Sequence, residues 1–335
     1  MEKRRLGVSD IEVSPIGLGC WQFSQGHGFI GKTWGVVDQE TTATIVRTAR
    51  SGGINWFDTA EAYGNGRSEQ SLSAALLSLG VRPGEAIVAT KWMPFFRTAR
   101  SLGQTIERRI SCLSPYPIDL HQVHQPFSFS SISAQMQEME KLVRAGRIRS
   151  IGVSNFNARQ MEAAHAALKE QGIPLLSNQV RINLLYRRIE YDGVLEAARR
   201  LGITLIAWSP LAQGILTGRF HQDRDASRKV SRFRKLVGGH SDESIARTAP
   251  LISELSAIGK ANGASAAQVA LNWLITFYGD IVIAIPGATR PAQAEQSAGA
   301  MGFRLTAAQL ARLDEVSRAC APRPRSGRAS AGRAA

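Results

Sequence analysis

Asp58, Tyr63, Lys91 and His124 are residue types from which a proton donor for a carbonyl oxygen can be built. An ammonium close to a phenol disfavours the neutral phenol, so Lys91 is expected to draw the pKa of Tyr63 down from its usual value of about 10. A carboxylate beside the lysine, here Asp58, would keep that ammonium charged and oriented. Each residue alone has an ordinary explanation: an Asp at a strand end caps a turn, a Lys points into solvent, and a His in an apolar run is hydrogen-bonded structure. Only the joint placement carries the catalytic reading. His121 lies three positions before His124, so the period-two alternation of a strand assigns it to the opposite face.

Three of the four close short apolar runs. "INWFD" ends in Asp58, "AIVATK" in Lys91 and "IDLHQVH" in His124, with Tyr63 in the loop after the first. Runs of the same kind are "PIGLGC", "IRSIGVS", "LLSNQ", "ITLIAWS" and "IVIAIPG", which makes eight strand candidates. Between them lie amphipathic stretches such as "NARQMEAAHAALKEQG" and "DQETTATIVRTARSG", the latter with Asp38 or a neighbour as N-cap and Gly52 or Gly53 as stop. Strands alternating with helices imply a parallel sheet, and eight such units predict an α/β fold of the closed (β/α)8 TIM-barrel kind. "RRLGVSDIEVSPIGLG" predicts an N-terminal β-hairpin, and "TAAQLARLDEVSRA" a C-terminal helix outside the barrel. The barrel is expected to occupy residues 1–320 as a single domain, with 321–335 a disordered basic tail that has almost nothing apolar to bury. Such a barrel carries its chemistry at the C-terminal strand ends, where Ser154, Asn155 and Gln179 also stand.

The chain has 41 Lys and Arg against 27 Asp and Glu, a net charge of +14. Part of the excess sits in the tail (Arg323, Arg325, Arg328 and Arg333) and part in "RFHQDRDASRKVSRFRKL" from Arg219. Such charge could attract nucleic acid, a membrane surface or a phosphorylated cofactor. With neither an aromatic-interleaved RNA motif nor a helix-turn-helix signature, nucleic acid is set aside. No apolar run approaches the ~18 residues that span a bilayer, and no apolar h-region follows "MEKRRLGVSD", so a cytoplasmic protein is expected. Cys20, Cys112 and Cys320 are odd in number and widely spaced, which suggests neither a disulfide framework nor zinc, and no metal site is expected. "GHGFIGKT" at Gly26–Thr33 matches the P-loop pattern. A P-loop opens directly into a helix, whereas "WGVVDQE" intervenes here, so the stretch is read as a substrate loop.

The segments "INWFDTAEAYGNGRSE", "AIVATKW", "IDLHQVHQP", "RSIGVSNF", "SNQVRINLL", "IAWSPLAQGILTG" and "IPGATRPAQAEQ" resemble, in order and spacing, those of the aldo-keto reductases, from about Arg5 to Arg318. The resemblance implies Tyr63 as general acid, Lys91 as the group that depresses its pKa, Asp58 as the partner of Lys91, and His124 as the residue that polarises the substrate carbonyl. It implies a nicotinamide cofactor, NADP(H), extended across the barrel mouth, and a small-molecule carbonyl substrate. Ser154, Asn155 and Gln179 match the positions that hold the carboxamide, and Trp208 the aromatic that stacks on the nicotinamide; Trp21 and Asp58 border the same site. "SPLAQGILTG" resembles the pyrophosphate loop through Ser209, Pro210, Leu211, Gln213 and Gly214. The last segment departs from the pattern. Where many relatives carry a basic residue and a later Glu-Asn pair, this chain has Gly287, Thr289, Arg290, Gln293, Gln296 and Ser297. Arg290 is assigned the 2′-phosphate, and Gln296 and Ser297 the adenine, which favours NADPH over NADH. The basic segment with Arg228 and Lys229 is expected to form a flap over the cofactor. The substrate pocket is expected to be lined by Trp21, the "QFSQGHGFIGKTWG" loop, Trp92 and Phe95 or Phe96. The rival within the same fold is a non-catalytic NADP(H)-binding sensor or partner subunit, against which the intact set of four residues argues. Monomer and homo-oligomer both remain open at this level.

Overall fold

The computed structural model of the chain describes residues 1–27, 36–223, 225, 230 and 240–321. It opens with an antiparallel hairpin, β1 (Arg4–Arg5) on β2 (Glu12–Val13). Eight strands then pair in parallel in chain order: β3 (Leu18–Gly19), β4 (Trp56–Asp58), β5 (Ile87–Trp92), β6 (Leu120–Val123), β7 (Ile151–Ser154), β8 (Leu175–Arg181), β9 (Thr204–Trp208) and β10 (Val282–Ala284). Parallel bridges Ile16 to Ala284 and Gly19 to Gly287 join the first strand region to the last. They are reinforced by Gly17 N–H donating to Ala284 O at 2.8 Å and Gly19 N–H to Pro286 O at 3.0 Å. The result is the (β/α)8 barrel expected, with the hairpin in front of it.

The helices that cover the sheet are α1 (Gln39–Ser51), α2 (Arg67–Ser78), α3 (Arg100–Leu113), α4 (Ile132–Arg144), α5 (Ala158–Lys169), α6 (Val194–Leu201), a short α7 (Arg219–Gln222), α8 (Asp242–Asn262), α9 (Ala266–Phe277), α10 (Pro291–Gly299) and α11 (Ala307–Cys320). Their starts follow local chemistry. Asp38 accepts from Thr41 N–H at 2.7 Å, and Asn157 with Gln160 and Thr306 with Gln309 form capping boxes that satisfy otherwise orphaned amides. The last of these, α11, packs on α8 outside the barrel. Among the described residues no helix is long and apolar enough to cross a membrane.

Strand alternation divides the apolar residues into two cores. Leu6, Ile11 and Val13 of the hairpin join Trp56, Ala89, Leu120, Leu176, Ile206 and Ile283 inside the barrel, which plugs its N-terminal end and leaves the C-terminal end for polar groups. The larger core lies between sheet and helices. On β5, Ala89 and Lys91 point inward while Val88, Thr90 and Trp92 point outward. This corrects the expectation for Trp92. It is 1% exposed, packed in the outer core, and donates from Nε1 to Ser101 Oγ at 3.1 Å instead of lining a substrate pocket. The part of "GHGFIGKT" after His27, Arg228 and Lys229 of the expected flap, and the tail from residue 322 lie outside the described residues.

Candidate active site

The four residues picked out first converge at the C-terminal end of β4, β5 and β6. Lys91 Nζ donates to Asp58 Oδ2 and, at 2.9 Å, to Thr59 O. The same Nζ lies 5.1 Å from the Tyr63 ring centroid. Tyr63 sits in the tight loop between β4 and α2, where its N–H donates to Ala60 O at 3.0 Å and its carbonyl accepts from Ser68 N–H at 3.1 Å. Its ring is gripped from two sides: Trp21 stacks on it at 5.8 Å and 14°, and His124 meets it edge-on at 5.6 Å and 82°. The aromatic Trp21 is therefore brought against Tyr63 itself.

The electrostatics modify one expectation. Desolvation raises the pKa of Tyr63, and Lys91 offsets only part of that, so the phenol sits above its usual value of 10 and not below it. For Lys91, burial works against the charge, but Asp58 and Tyr63 outweigh it and the ammonium is held more firmly than usual. His124 is pushed well below its usual 6.5, by desolvation first and by Lys91 second, so it is a neutral imidazole at physiological pH. His121 faces away from the site as expected. Burial and Arg109 take it to about 3, and neither of its ring nitrogens has a hydrogen-bond partner among the described residues.

Sequence reasoning missed Gln122. Its Nε2 donates to Asp58 Oδ1 at 3.0 Å, beside Gln179 Nε2 at 2.9 Å, and Gln179 also reaches Gln122 Oε1 at 3.3 Å. Asp58 is thus held by Lys91 on one oxygen and two amides on the other. A signal existed: Gln122 is two positions before His124 and so must share its face. Also missed was a second buried charged cluster behind the sheet. Arg109 Nη1 lies 3.1 Å from Glu69 and 3.7 Å from Glu61, while Thr90 donates to Glu69 at 2.6 Å. Glu61, two residues before Tyr63, accepts from Met93 N–H at 2.6 Å and pairs with Arg97. Burial, offset by Arg109, takes Glu69 up to about 7.

The residues matched to the cofactor fall into two groups. Ser154, Asn155 and Trp208 form one patch beside His124. Asn155 Nδ2 donates to His124 O at 3.2 Å and Ser154 Oγ at 3.1 Å, and Trp208 Nε1 donates to Asn155 Oδ1 at 3.0 Å. Ser154 Oγ in turn donates to Gln179 O at 2.9 Å, while the Gln179 amide is directed to Asp58. After Trp208, Ser209 (φ 52°), Ala212 (φ 49°), Gln213 (φ 57°) and Gly214 (φ 96°) are left-handed. Three such residues in succession curl the main chain as anion-holding turns do, around Pro210 and Leu211, whose carbonyl accepts from Gly214 N–H at 2.9 Å. At the other end, Gly287 packs so closely that a Cβ would lie 2.4 Å from Gln22 Oε1. Gln293 Oε1 accepts from Thr289 N–H and Oγ1 at 2.7 and 3.1 Å, which ties the first turn of α10 to the chain entering it. Arg290 and Gln296 are exposed at this helix, whereas Ser297 is 4% exposed and packed inward.

A closed parallel barrel with a Tyr, a neutral His and a carboxylate-bound Lys converging at its C-terminal mouth defines an oxidoreductase-type site. The chain matches the model of the Aldo/keto reductase family over residues 15–318 and belongs to that family. It is 37% identical over 317 residues to an uncharacterized oxidoreductase of Mycobacterium tuberculosis, covering 93% of this chain and 91% of that protein. It is 31% identical over 324 residues to the aldo-keto reductase YhdN of Bacillus subtilis, covering 91% and 90%. Among solved structures it is similar to the glycerol dehydrogenase of Gluconobacter oxydans (TM-score 0.80, 28% identity, 96% of this chain and 97% of that one). It is also similar to an aldo-keto reductase of Klebsiella pneumoniae in complex with NADPH (TM-score 0.72, 25% identity, 97% of each).

Proposed function

We propose that the protein is an NADPH-dependent carbonyl reductase that converts an aldehyde or ketone to the alcohol, with Tyr63 as the general acid. The observation that carries this is the convergence of Tyr63, Lys91 and His124 over a carboxylate locked by three side-chain donors. The donor set fits a nicotinamide cofactor: an amide and a hydroxyl beside an indole for the carboxamide and ring, a left-handed turn for the pyrophosphate, and the exposed Arg290 for a 2′-phosphate. When bound, the cofactor supplies a hydride to the carbonyl carbon. The pair of electrons displaced onto the carbonyl oxygen is met by the proton of Tyr63. The phenol is fully protonated at neutral pH, and the alkoxide it meets is far more basic, so a raised pKa does not bar the transfer. Lys91 stays charged throughout and stabilises the tyrosinate left behind, while neutral His124 can donate an N–H to the oxygen as charge develops there.

In the reverse direction Tyr63 acts as base, so oxidation of alcohols is expected to rise with pH and reduction to fall. The direct test is loss of NADPH absorbance with a panel of aldehydes and ketones, wild type against Tyr63→Phe. A fall in kcat of about 10²- to 10⁴-fold is expected, and undiminished turnover in the variant would remove Tyr63 from its role.

A further inference from the structure

Ala212 (φ 49°) and Gln213 (φ 57°) each place a Cβ in the left-handed region, a conformation that persists only where the surroundings enforce it. Two residues remote in sequence grip this turn. At its start buried Asn183 donates from Nδ2 to Ser209 O at 2.9 Å. At its end His240 Nε2 lies 3.3 Å from Gln213 O. A carbonyl only accepts, so the bond requires the imidazole to carry its proton on Nε2. The peptide plane between Gln213 and Gly214 is thereby fixed on both sides, its carbonyl by His240 and its N–H by Leu211 O at 2.9 Å. That plane sets the left-handed values on either side of it.

His240 is itself well supported. It is buried, and its ring meets Phe220 edge-on at 4.9 Å and 83°. Phe220 in turn lies against Gly214, where a Cβ would come 3.3 Å from the ring. His240 directly precedes Ser241, the N-cap of α8, whose Oγ accepts from Ser244 N–H at 3.2 Å. His221 of α7 bonds Thr248 of the same helix at 3.0 Å. The turn is thus tied to a 21-residue helix outside the barrel and not only to its own strand.

From this arrangement we infer that His240 is a positioning residue for the cofactor, holding the Ala212–Gly214 turn in its anion-holding form before NADPH arrives. The inference rests on the reductase reading, in which this turn takes the pyrophosphate. A turn already formed binds without paying the entropy of ordering itself, so loss of the His240 bond weakens cofactor affinity and leaves the chemistry at Tyr63 in place.

The test compares wild type with His240→Phe, which keeps a ring against Phe220 but has no donor, and His240→Gln, which keeps an N–H. NADPH affinity, read by quenching of protein fluorescence, is expected to fall about 10-fold in His240→Phe, as loss of one hydrogen bond gives, and to stay within about 3-fold in His240→Gln. With 4-nitrobenzaldehyde as probe, kcat at saturating NADPH should fall no more than about 2-fold in either variant. Unchanged affinity in His240→Phe overturns the inference. So does an equal loss in both variants, which would assign the effect to packing, or a fall in kcat with affinity intact. If wild type neither binds NADPH nor reduces the probe, the reductase reading is what fails. Hydrogen exchange at residues 211–216 then decides for His240: exchange about 10-fold faster in His240→Phe upholds the brace, and equal exchange overturns it. Should His240→Phe not fold, the tautomer of His240 in wild type, read by 15N NMR, decides instead: a protonated Nε2 upholds the bond to Gln213, and a bare Nε2 overturns it.

Discussion

Strands β5 and β6 carry buried polar and charged groups on both faces, and the two sets behave differently. On the inner face Lys91 and Gln122 hold Asp58, and the group opens onto the mouth where Tyr63 and His124 stand. On the outer face Thr90 and His121 meet Glu69 and Arg109, enclosed by α2 and α3. Both contain buried ion pairs and displaced pKa values, so displacement alone does not mark an active site. Glu69, at about 7, would be a tempting catalytic carboxylate by that criterion. What separates the faces is that the inner one opens onto the mouth beside Tyr63 and His124, whereas the outer one is enclosed by helices. The outer one braces the loop that carries Tyr63, through Glu61, Arg97 and Arg109.

The same substitution on the two faces should break the molecule in different ways. Lys91→Met is expected to lower kcat by about 10²-fold or more. Arg109→Met should leave kcat per folded molecule within about 3-fold and cost about 3–5 kcal/mol in urea unfolding, because it strips the partner from a buried carboxylate. Equal losses of activity in both variants would erase the distinction drawn between the faces.

A pH series sharpens it next. The folded pKa of Glu69, about 7 against the ordinary 4.5, means the folded state keeps its proton while the unfolded state releases it. Stability from this group therefore falls as pH climbs from 4.5 to about 7, by about 3 kcal/mol. His121, about 3 against 6.5, refuses a proton that the unfolded state takes up, so its contribution rises as pH climbs from about 3 to 6.5, and His124 acts in the same sense. Between 4.5 and 6.5 Glu69 opposes the histidines. Glu69→Gln should steepen the rise of melting temperature with pH in that window, and an unchanged slope would show that Glu69 does not titrate there.

Smaller effects follow. Gln122→Leu removes one of three side-chain donors from Asp58, with an expected loss of about 1–2 kcal/mol of stability and a measurable fall in kcat in steady-state assays, at little change in KM. Trp92→Phe, on the outer face, should cost about 1 kcal/mol in a denaturant melt and leave kcat/KM unchanged. A loss of activity there would return Trp92 to the pocket.

Much of the inner face was legible in the chain. The eight strands, the cap at Asp38 and the opposite faces of His121 and His124 all follow from patterns of period two or from a side chain that bonds within three residues of itself. Two residues that sequence reasoning passed over enter through contact between positions remote in sequence. Gln122 and Gln179 meet on Asp58 across 64 and 121 positions, and Arg109 reaches Glu69 across a helix boundary. Trp92 departs from the expected pocket because alternation sends neighbours on a strand to opposite faces, so the residue next to the inward Lys91 lies in the outer core. The direction of the Tyr63 shift was misread because Lys91 is visible in the sequence and burial is not.

The sequence by itself determined the order of strands and helices, the mouth at which polar groups collect, and which residues, Tyr63, Lys91 and Asp58, are the candidates for acid, cation and carboxylate, because local periodicity and residue chemistry suffice for those. Tertiary structure alone decided how Asp58 is held, that desolvation outweighs Lys91 at Tyr63, and that Trp21 stacks on the Tyr63 ring. Those depend on distances closed by the barrel and on the water it excludes, and neither is written in any single stretch of chain.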